Sequence, residues 1–567
     1  MLPFLRTSES KAKKLGSSNI NPEDVFLDSS NISLMNTQQL EGHIERPLSH
    51  HTGFIFLGFI FLFFFLFVLK VFSLQITNGQ FYVDKSDRNH LKSIPIFAYR
   101  GTILDKNQNL LAWNETTNFD FNGDIPKRVY IDEPGFSNLL GYVSYPKKDS
   151  SGIFWQDEYI GKDGIEKQYQ DRLQGTKGER LVAVDAHNNI ESGSTVVYPQ
   201  NGENIVLTID KDVQNKLYES IKDLAHKAPF TAGSGVIMNI QTGEILALAS
   251  YPEYDNNLMT NASTTEDMNQ ITSDLNDKSH KFLNRPVAGL FTPGSTVKPF
   301  IAIAALMEGI ITPEKQILST GKIVIKNKYG GEDTVFRDWE AHGLTDMRKA
   351  ISESSDEYFY QVGGGYENQK GLGINLIDKY ARMFGFGSTT GIDLPNENSG
   401  VIPTPEWKKK VFNETWLLGD TYHTAIGQYG FQLTPLELVR GISAIANGGY
   451  LVTPHLLKEL DTNRVTLGLR AQDLKVITDG MRNGAIDGTG KALNIEGVHV
   501  ATKSGTAELG VTKQQVNSWI SGFFPYENPK YAFVVIMEKG DRHNPYGAVF
   551  AMKDTLEWMR DNTDYTK

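Results

Sequence analysis

The alternation of apolar and polar positions divides the chain into stretches of different character. Residues 1 to about 50 are polar, rich in Ser and Asn and without apolar periodicity, a pattern that predicts a mostly disordered tail over 1–52. From Gly53 to Leu69 the chain is apolar, rich in phenylalanine and free of charge, and beyond Lys70 it continues through Val71, Phe72 and Leu74. Crossing ~30 Å of hydrocarbon takes about 20 helical residues, and Lys70 can snorkel at the boundary. No small-x-small cleavage site follows the run, and a segment apolar on every face suits lipid better than a protein core. A retained membrane anchor is therefore expected over 53–76. Arg6, Lys11, Lys13, Lys14 and Arg46 precede it, while Lys70, Lys85, Arg88 and Lys92 follow, so charge favours a cytoplasmic N-terminus only slightly.

The next stretch, 77–225, is mixed. Short strand-like runs such as Arg180 to Val184 and Asn204 to Ile209 are punctuated by Gly and Asn turns, and no catalytic constellation stands out. From 226 to 567 the texture changes. Ser234 to Ile240 and Ile245 to Ser250, joined by a turn over Gln241 to Glu244, predict a hairpin. A second hairpin is expected from Trp519 to Phe524 and Tyr531 to Met537, joined through Pro525, Asn528 and Pro529. Between them Phe300 to Met307 is apolar on every face, as a helix buried in a large domain would be. Strands at both ends with helices between predict one domain whose sheet draws on both ends. The expected fold class is thus α+β multi-domain, with a membrane helix, a mixed pedestal module over 77–225 and a C-terminal domain.

Composition and charge narrow the chemistry. A net charge of −11 over 567 residues argues against nucleic acid as a partner, since phosphate binding needs clustered positive charge. The absence of cysteine excludes thiolate catalysis, disulfides and Cys-ligated metals. A phosphate-loop reading of Gly488-Thr489-Gly490-Lys491 fails, because the earlier glycine is missing and Ala492 stands where Ser or Thr would coordinate magnesium.

Serine chemistry remains. It needs a hydroxyl, a base within reach and donors aimed at the developing oxyanion. Directly before the buried helix the chain reads Thr292-Pro293-Gly294-Ser295-Thr296-Val297-Lys298-Pro299. Pro299 fits a helix that starts near Thr296, and residues three apart share a face, which would bring Lys298 beside Ser295. Ser-x-x-Lys alone is a weak signal, since Ser8 to Lys11 and Ser319 to Lys322 match it too. Two further motifs follow Ser295 downstream. Ser354-Ser355-Asp356 alone would pass as a helix cap, and Lys503-Ser504-Gly505-Thr506 as an exposed strand end. The three in this order and spacing say more than any one of them.

Together these motifs resemble the three active-site motifs of penicillin-binding proteins and serine β-lactamases. Arg100-Gly101-Thr102-Ile103-Leu104-Asp105, and Gly161 to Leu173 with Gly175 and Gly178, resemble signatures of the N-terminal module of class B penicillin-binding proteins. Thr424 to Gln428 and Leu433-Thr434-Pro435 resemble the segment before the third motif. Asp356, Phe336-Arg337-Asp338-Trp339, and Thr390 to Pro395 with Ser399-Gly400 look like the cell-elongation branch, that of penicillin-binding protein 2. The septal branch is the nearest alternative, followed by a D,D-carboxypeptidase or β-lactamase of the same fold.

The resemblance implies an antiparallel sheet flanked by helices and a peptidoglycan D,D-transpeptidase that β-lactams inhibit. It implies that Ser295 attacks a D-Ala-D-Ala stem peptide and that a neutral Lys298, depressed by burial and by Lys503, takes the serine proton. Ser354 would pass a proton to the leaving group, with Asp356 orienting the network. Backbone N–H groups of Ser295 and Thr506 would form the oxyanion hole, with Ser504 and Gly505 lining the substrate strand. Lys503 and the Thr506 hydroxyl would hold the substrate carboxylate. It further implies an extracytoplasmic catalytic domain on a single-pass anchor in the cytoplasmic membrane, and a SEDS-family glycan polymerase of the RodA type as partner. Some elongation-type relatives carry a metal near the site. Asp338 and His342 stand at matching positions, but Ser355 replaces the cysteine, so neither a tightly bound zinc nor any cofactor is expected.

Overall fold

The computed structural model describes residues 50–89, 91–115, 125–150, 154–184, 190–327, 330–510 and 512–567. All but the end of the expected tail falls outside them. The chain divides into two compact units, Met1–His90 and Leu91–Lys567. In the first, the helix His50–Phe72 passes into a π-helical turn at Ser73–Thr77, followed by the helix Gly79–Asn89. Its large apolar side chains from Phe54 to Leu69 are exposed. The stretch Gly53–Thr77 is long and apolar enough to cross a membrane.

The second unit is organised around a five-stranded antiparallel sheet. Its order is Ile245–Tyr251, Ala232–Asn239, Tyr531–Asp541, Gln515–Phe524 and Ala501–Leu509, so the sheet does draw on both ends of the region. Period-two alternation splits its side chains between two cores. Ile237, Ala247, Phe533, Val535 and Met537 pack under the helices Lys211–Lys227 and Ala548–Asn562. Val236, Leu248, Val534 and Ile536 belong to a larger core that includes Phe300 and Ala304 of the fully buried helix Lys298–Met307. The helix Lys211–Lys227 lies across the position 225/226 expected as a boundary, and its inner face is part of the sheet's packing.

In the pedestal, Ile205–Val206 runs parallel to Ile103–Leu104, which continues antiparallel into Leu110–Glu115 and Lys127–Tyr130. The strand expected over Asn204 to Ile209 is shorter because the chain changes partner: Thr208 N–H donates to Leu456 O (2.7 Å), and Leu207 bridges Leu457. Arg180 to Val184 lies inside the strand Gly178–Val184, paired on both sides. Behind these strands Arg100, Arg128 and Glu166 are buried together, with Arg128 Nε 2.7 Å from Glu166 Oε1.

Side-chain amides stitch the pedestal to the sheet domain. Asn257 accepts from Tyr130 N–H and donates to Tyr130 O, both at 3.0 Å, doing for that strand edge what a neighbouring strand would do. Nearby, Glu253 accepts the N–H groups of Gly135 (2.6 Å) and Ser137 (2.8 Å). Burial pushes its carboxyl up to about 7 against the lowering effect of those donors. A carboxyl raised on folding contributes stability that is fully present below its ordinary value of 4.5 and is lost as pH rises through about 7. The wild type is therefore expected to lose melting temperature between pH 5 and pH 8, and Glu253→Gln to lose less. Equal slopes in thermal melts of the two proteins would contradict this.

Candidate active site

Ser295 sits in a 3-10 turn, Gly294–Val297, that leads directly into the helix Lys298–Met307. The α-helix starts two residues later than the expected Thr296. Pro299 has no N–H to give Ser295 O, which accepts instead from Lys298 N–H, and Thr296 Oγ1 fastens the turn by donating to Pro293 O (2.9 Å). Ser295 is partly exposed while Lys298 is fully buried.

The Lys298 ammonium is where the first two motifs meet. Nζ donates to Ser354 O (2.6 Å), Ser354 Oγ (3.3 Å) and Asp356 Oδ1 (2.6 Å). Ser354 presents both oxygens because its backbone is left-handed (φ +61°). A non-glycine residue pays for that conformation, and it persists where the surroundings over-determine it. Two crossed carboxylates supply the constraint. Asp338 Oδ2 accepts from Ser355 Oγ and from Glu357 N–H, both at 2.8 Å, at the start of the helix Asp356–Gly364. In return Glu357 Oε2 accepts the N–H groups of Thr320 and Gly321, both at 2.8 Å.

The third motif lies on the strand Ala501–Leu509, which is paired on one side only and packs its other flank on the serine turn. Gly505 is required there: a Cβ would lie 2.8 Å from Thr296 Cγ2 and 2.9 Å from Pro293 O. Lys503 is buried, and its Nζ donates to Ser504 O (2.8 Å). Ser504 Oγ donates to Thr489 Oγ1 (2.7 Å), and Thr506 is exposed.

The three titratable groups act on one another. Burial, then the charge of Lys298, holds the Lys503 ammonium well below its ordinary range, with Asp356 opposing. Burial raises the Asp356 carboxyl, Lys298 opposes the rise, and Asp338 adds to it. The strongly depressed ammonium is that of Lys503, and Lys298 has the Asp356 carboxylate as its partner.

All eight sequence-predicted residues thus lie on three segments of the chain, around Ser295, Ser354 and Lys503. Sequence reasoning missed Glu357, Gly427 and Thr489 as contributors. Gly427 alone carried a signal, through the family segment: its φ is +74°, and a Cβ there would lie 2.1 Å from Gly294 O. Asp338, His342 and Ser355 are brought together too, with His342 Nε2 3.5 Å from Asp338 Oδ2. These residues do not fit a tightly bound zinc. Ser355 offers a neutral hydroxyl already donated to Asp338, where a thiolate would be needed. Among the described residues, no three His, Cys, Asp or Glu side chains are arranged to hold a metal ion.

The family model described as penicillin binding protein transpeptidase domain matches residues 233–552, more than half of the chain. The chain belongs to this family. The model of the penicillin-binding protein dimerisation domain matches residues 123–207, within the pedestal. This penicillin-binding protein is 33% identical over 471 residues to the peptidoglycan D,D-transpeptidase MrdA of Haemophilus influenzae, covering 75% of this chain and 68% of that one. It resembles PBP2 in the complex between PBP2 and MreC from Helicobacter pylori, with a TM-score of 0.68 and 27% identity, covering 83% of this chain and 99% of that one. It also resembles a chain from a structure of a peptidoglycan synthase complex that coordinates polymerization and crosslinking. There the TM-score is 0.70 and the identity 25%, covering 90% of this chain and 98% of that one. Its relatives place it in the penicillin-binding protein 2 branch.

Proposed function

We propose that this protein is a peptidoglycan D,D-transpeptidase in which Ser295 is the nucleophile. The observation that carries the reading is the convergence of Ser354 O, Ser354 Oγ and Asp356 Oδ1 on the buried Lys298 Nζ, three residues along from Ser295. Acting as the base requires Lys298 as the neutral amine, and Asp356, 2.6 Å from its Nζ, orients that amine. Neutral Lys298 takes the Ser295 proton as Oγ attacks the penultimate D-alanine carbonyl, and the backbone N–H groups of Ser295 and Thr506 stabilise the oxyanion. Ser354 carries the proton on to the departing D-alanine amine. A second stem's amine then displaces Ser295 Oγ from the acyl group and forms the cross-link. Lys503 and Thr506 hold the substrate carboxylate.

The proposal includes a division into tail (1–52), anchor (53–76), pedestal (77–225) and catalytic domain (226–567), with the catalytic domain outside the membrane on a single-pass helix. The peptidoglycan synthase relative, whose complex couples polymerization to crosslinking, supports a glycan polymerase as partner, and the proposal takes it to be of the RodA type. Incubation with a fluorescent penicillin, followed by intact and peptide mass spectrometry, tests the reading. A long-lived one-to-one adduct on the peptide carrying Ser295 is expected. Rapid drug turnover would point to a hydrolase of the same fold, and an adduct elsewhere would remove Ser295 from its role.

A further inference from the structure

The loop Gly427 to Gly430 lies against the serine turn. Gly294 N–H donates to Gly427 O (3.0 Å), and Gln428 Nε2 reaches Thr506 O (3.4 Å), so the loop touches both the serine turn and the substrate strand. Gly427 and Gly430 take left-handed backbone without a steric penalty, at φ +74° and +77°. Tyr429, between Gln428 and Gly430, is also left-handed, at φ +59°. A side chain there is strained, and glycine would satisfy the backbone better.

The ring explains why the loop keeps a tyrosine. It is wedged between two tryptophans, edge-on to Trp407 at 6.0 Å and to Trp416 at 5.9 Å between centroids. Lys408 Nζ lies 5.5 Å from its centroid, and the Tyr429 hydroxyl is hydrogen-bonded to Lys408 and Asp420. That lysine is almost fully buried and pairs with Asp420 at 2.7 Å, and Asp420 in turn accepts Leu417 N–H (2.7 Å). Gly430 leaves room for the Trp407 ring, whose Cη2 would lie 2.3 Å from a Cβ there. The strained residue is therefore gripped by Trp407, Trp416 and Lys408.

We propose that Tyr429 is a positioning residue for the reaction: its ring, clamped by Trp407, Trp416 and Lys408, fixes Gly427 against Gly294 and Gln428 against Thr506. The inference rests on the reading of Ser295 as the acylated residue. Local strain is retained because it holds the loop against both the serine turn and the substrate strand.

Acylation kinetics with a fluorescent penicillin, on the full chain, separate this from packing alone. Tyr429→Gly relieves the backbone and removes the wedge, so it is expected to melt at a higher temperature than Tyr429→Ala, which keeps the strain and loses the ring. Both are expected to lose about tenfold or more in the acylation rate constant at saturating drug, because the serine turn is no longer held. Tyr429→Phe, which keeps the ring between the two tryptophans and loses only the hydroxyl bonded to Lys408 and Asp420, is expected to stay within about threefold of wild type. Saturating rates within about threefold of wild type for the Gly or Ala variant, or a tenfold loss for the Phe variant, would overturn the inference. Failure of the wild type itself to form an adduct would overturn the reading beneath it instead.

Discussion

Lys298→Ala is expected to slow acylation by a fluorescent penicillin about 10³-fold, within the range assigned to a lost general base. Three oxygens converge on the ammonium, and among the described residues no other side chain bonds to both Ser354 and Asp356. Lys503 cannot take over. Its ammonium, though held well below the ordinary range, is committed to Ser504 O on the far strand. Removing Lys298 also strips Asp356 of its partner. That carboxyl is already raised by burial, so it takes up a proton instead of remaining as a bare buried charge. The folded state should therefore survive, and the loss should fall on the rate constant more than on drug affinity. Rapid-mixing fluorescence on the variant, with the adduct confirmed by mass after hours, measures it. Acylation within about tenfold of wild type would remove Lys298 from the role of base.

The chemistry was more legible than its scaffolding. Ser295, Lys298 and Pro299 stand in a local pattern whose geometry follows from helix spacing, so the turn that leads into the buried helix was legible from the sequence alone. Both hairpins were legible as well, because alternation and turn residues are local signals. What stayed hidden depends on contacts between distant segments. Nothing in Ser354-Ser355-Asp356 announces a left-handed serine, because the constraint comes from Asp338, which lies on a separate hairpin-bearing segment. The crossed grip of Glu357 on Thr320 and Gly321 is invisible for the same reason. The contact of the Asp356 carboxylate with the Lys298 ammonium and the depression of Lys503 likewise arise between distant segments.

Glu166→Ala is expected to cost about 3–5 kcal/mol of stability, the scale for breaking a buried ion pair by removing one partner. Glu166, Arg100 and Arg128 have side chains with no exposure at all. Burial alone would raise the Glu166 carboxyl, yet the two guanidinium groups outweigh that and hold it below its ordinary range. Without the carboxylate, two like charges would face each other in an apolar interior. Arg100 Nη1 and Arg128 Nη2, already buried without a hydrogen-bond partner, leave no spare capacity to absorb the loss. The arginines also hold backbone, through Arg100 Nη2 on Glu166 O (2.8 Å) and Arg128 Nη1 on Gly101 O (2.9 Å). Replacing all three by apolar residues should therefore recover only part of the loss, although a buried charge cluster by itself is often replaceable at little cost. Denaturant unfolding of Glu166→Ala, Glu166→Gln and the apolar triple variant distinguishes the two contributions. If the triple variant matched wild type, the cluster would serve only to neutralise itself. If it stayed well below, the guanidinium bonds to Gly101 and Glu166 carbonyls would be what keeps the pedestal strands in register with the turn that follows Arg100.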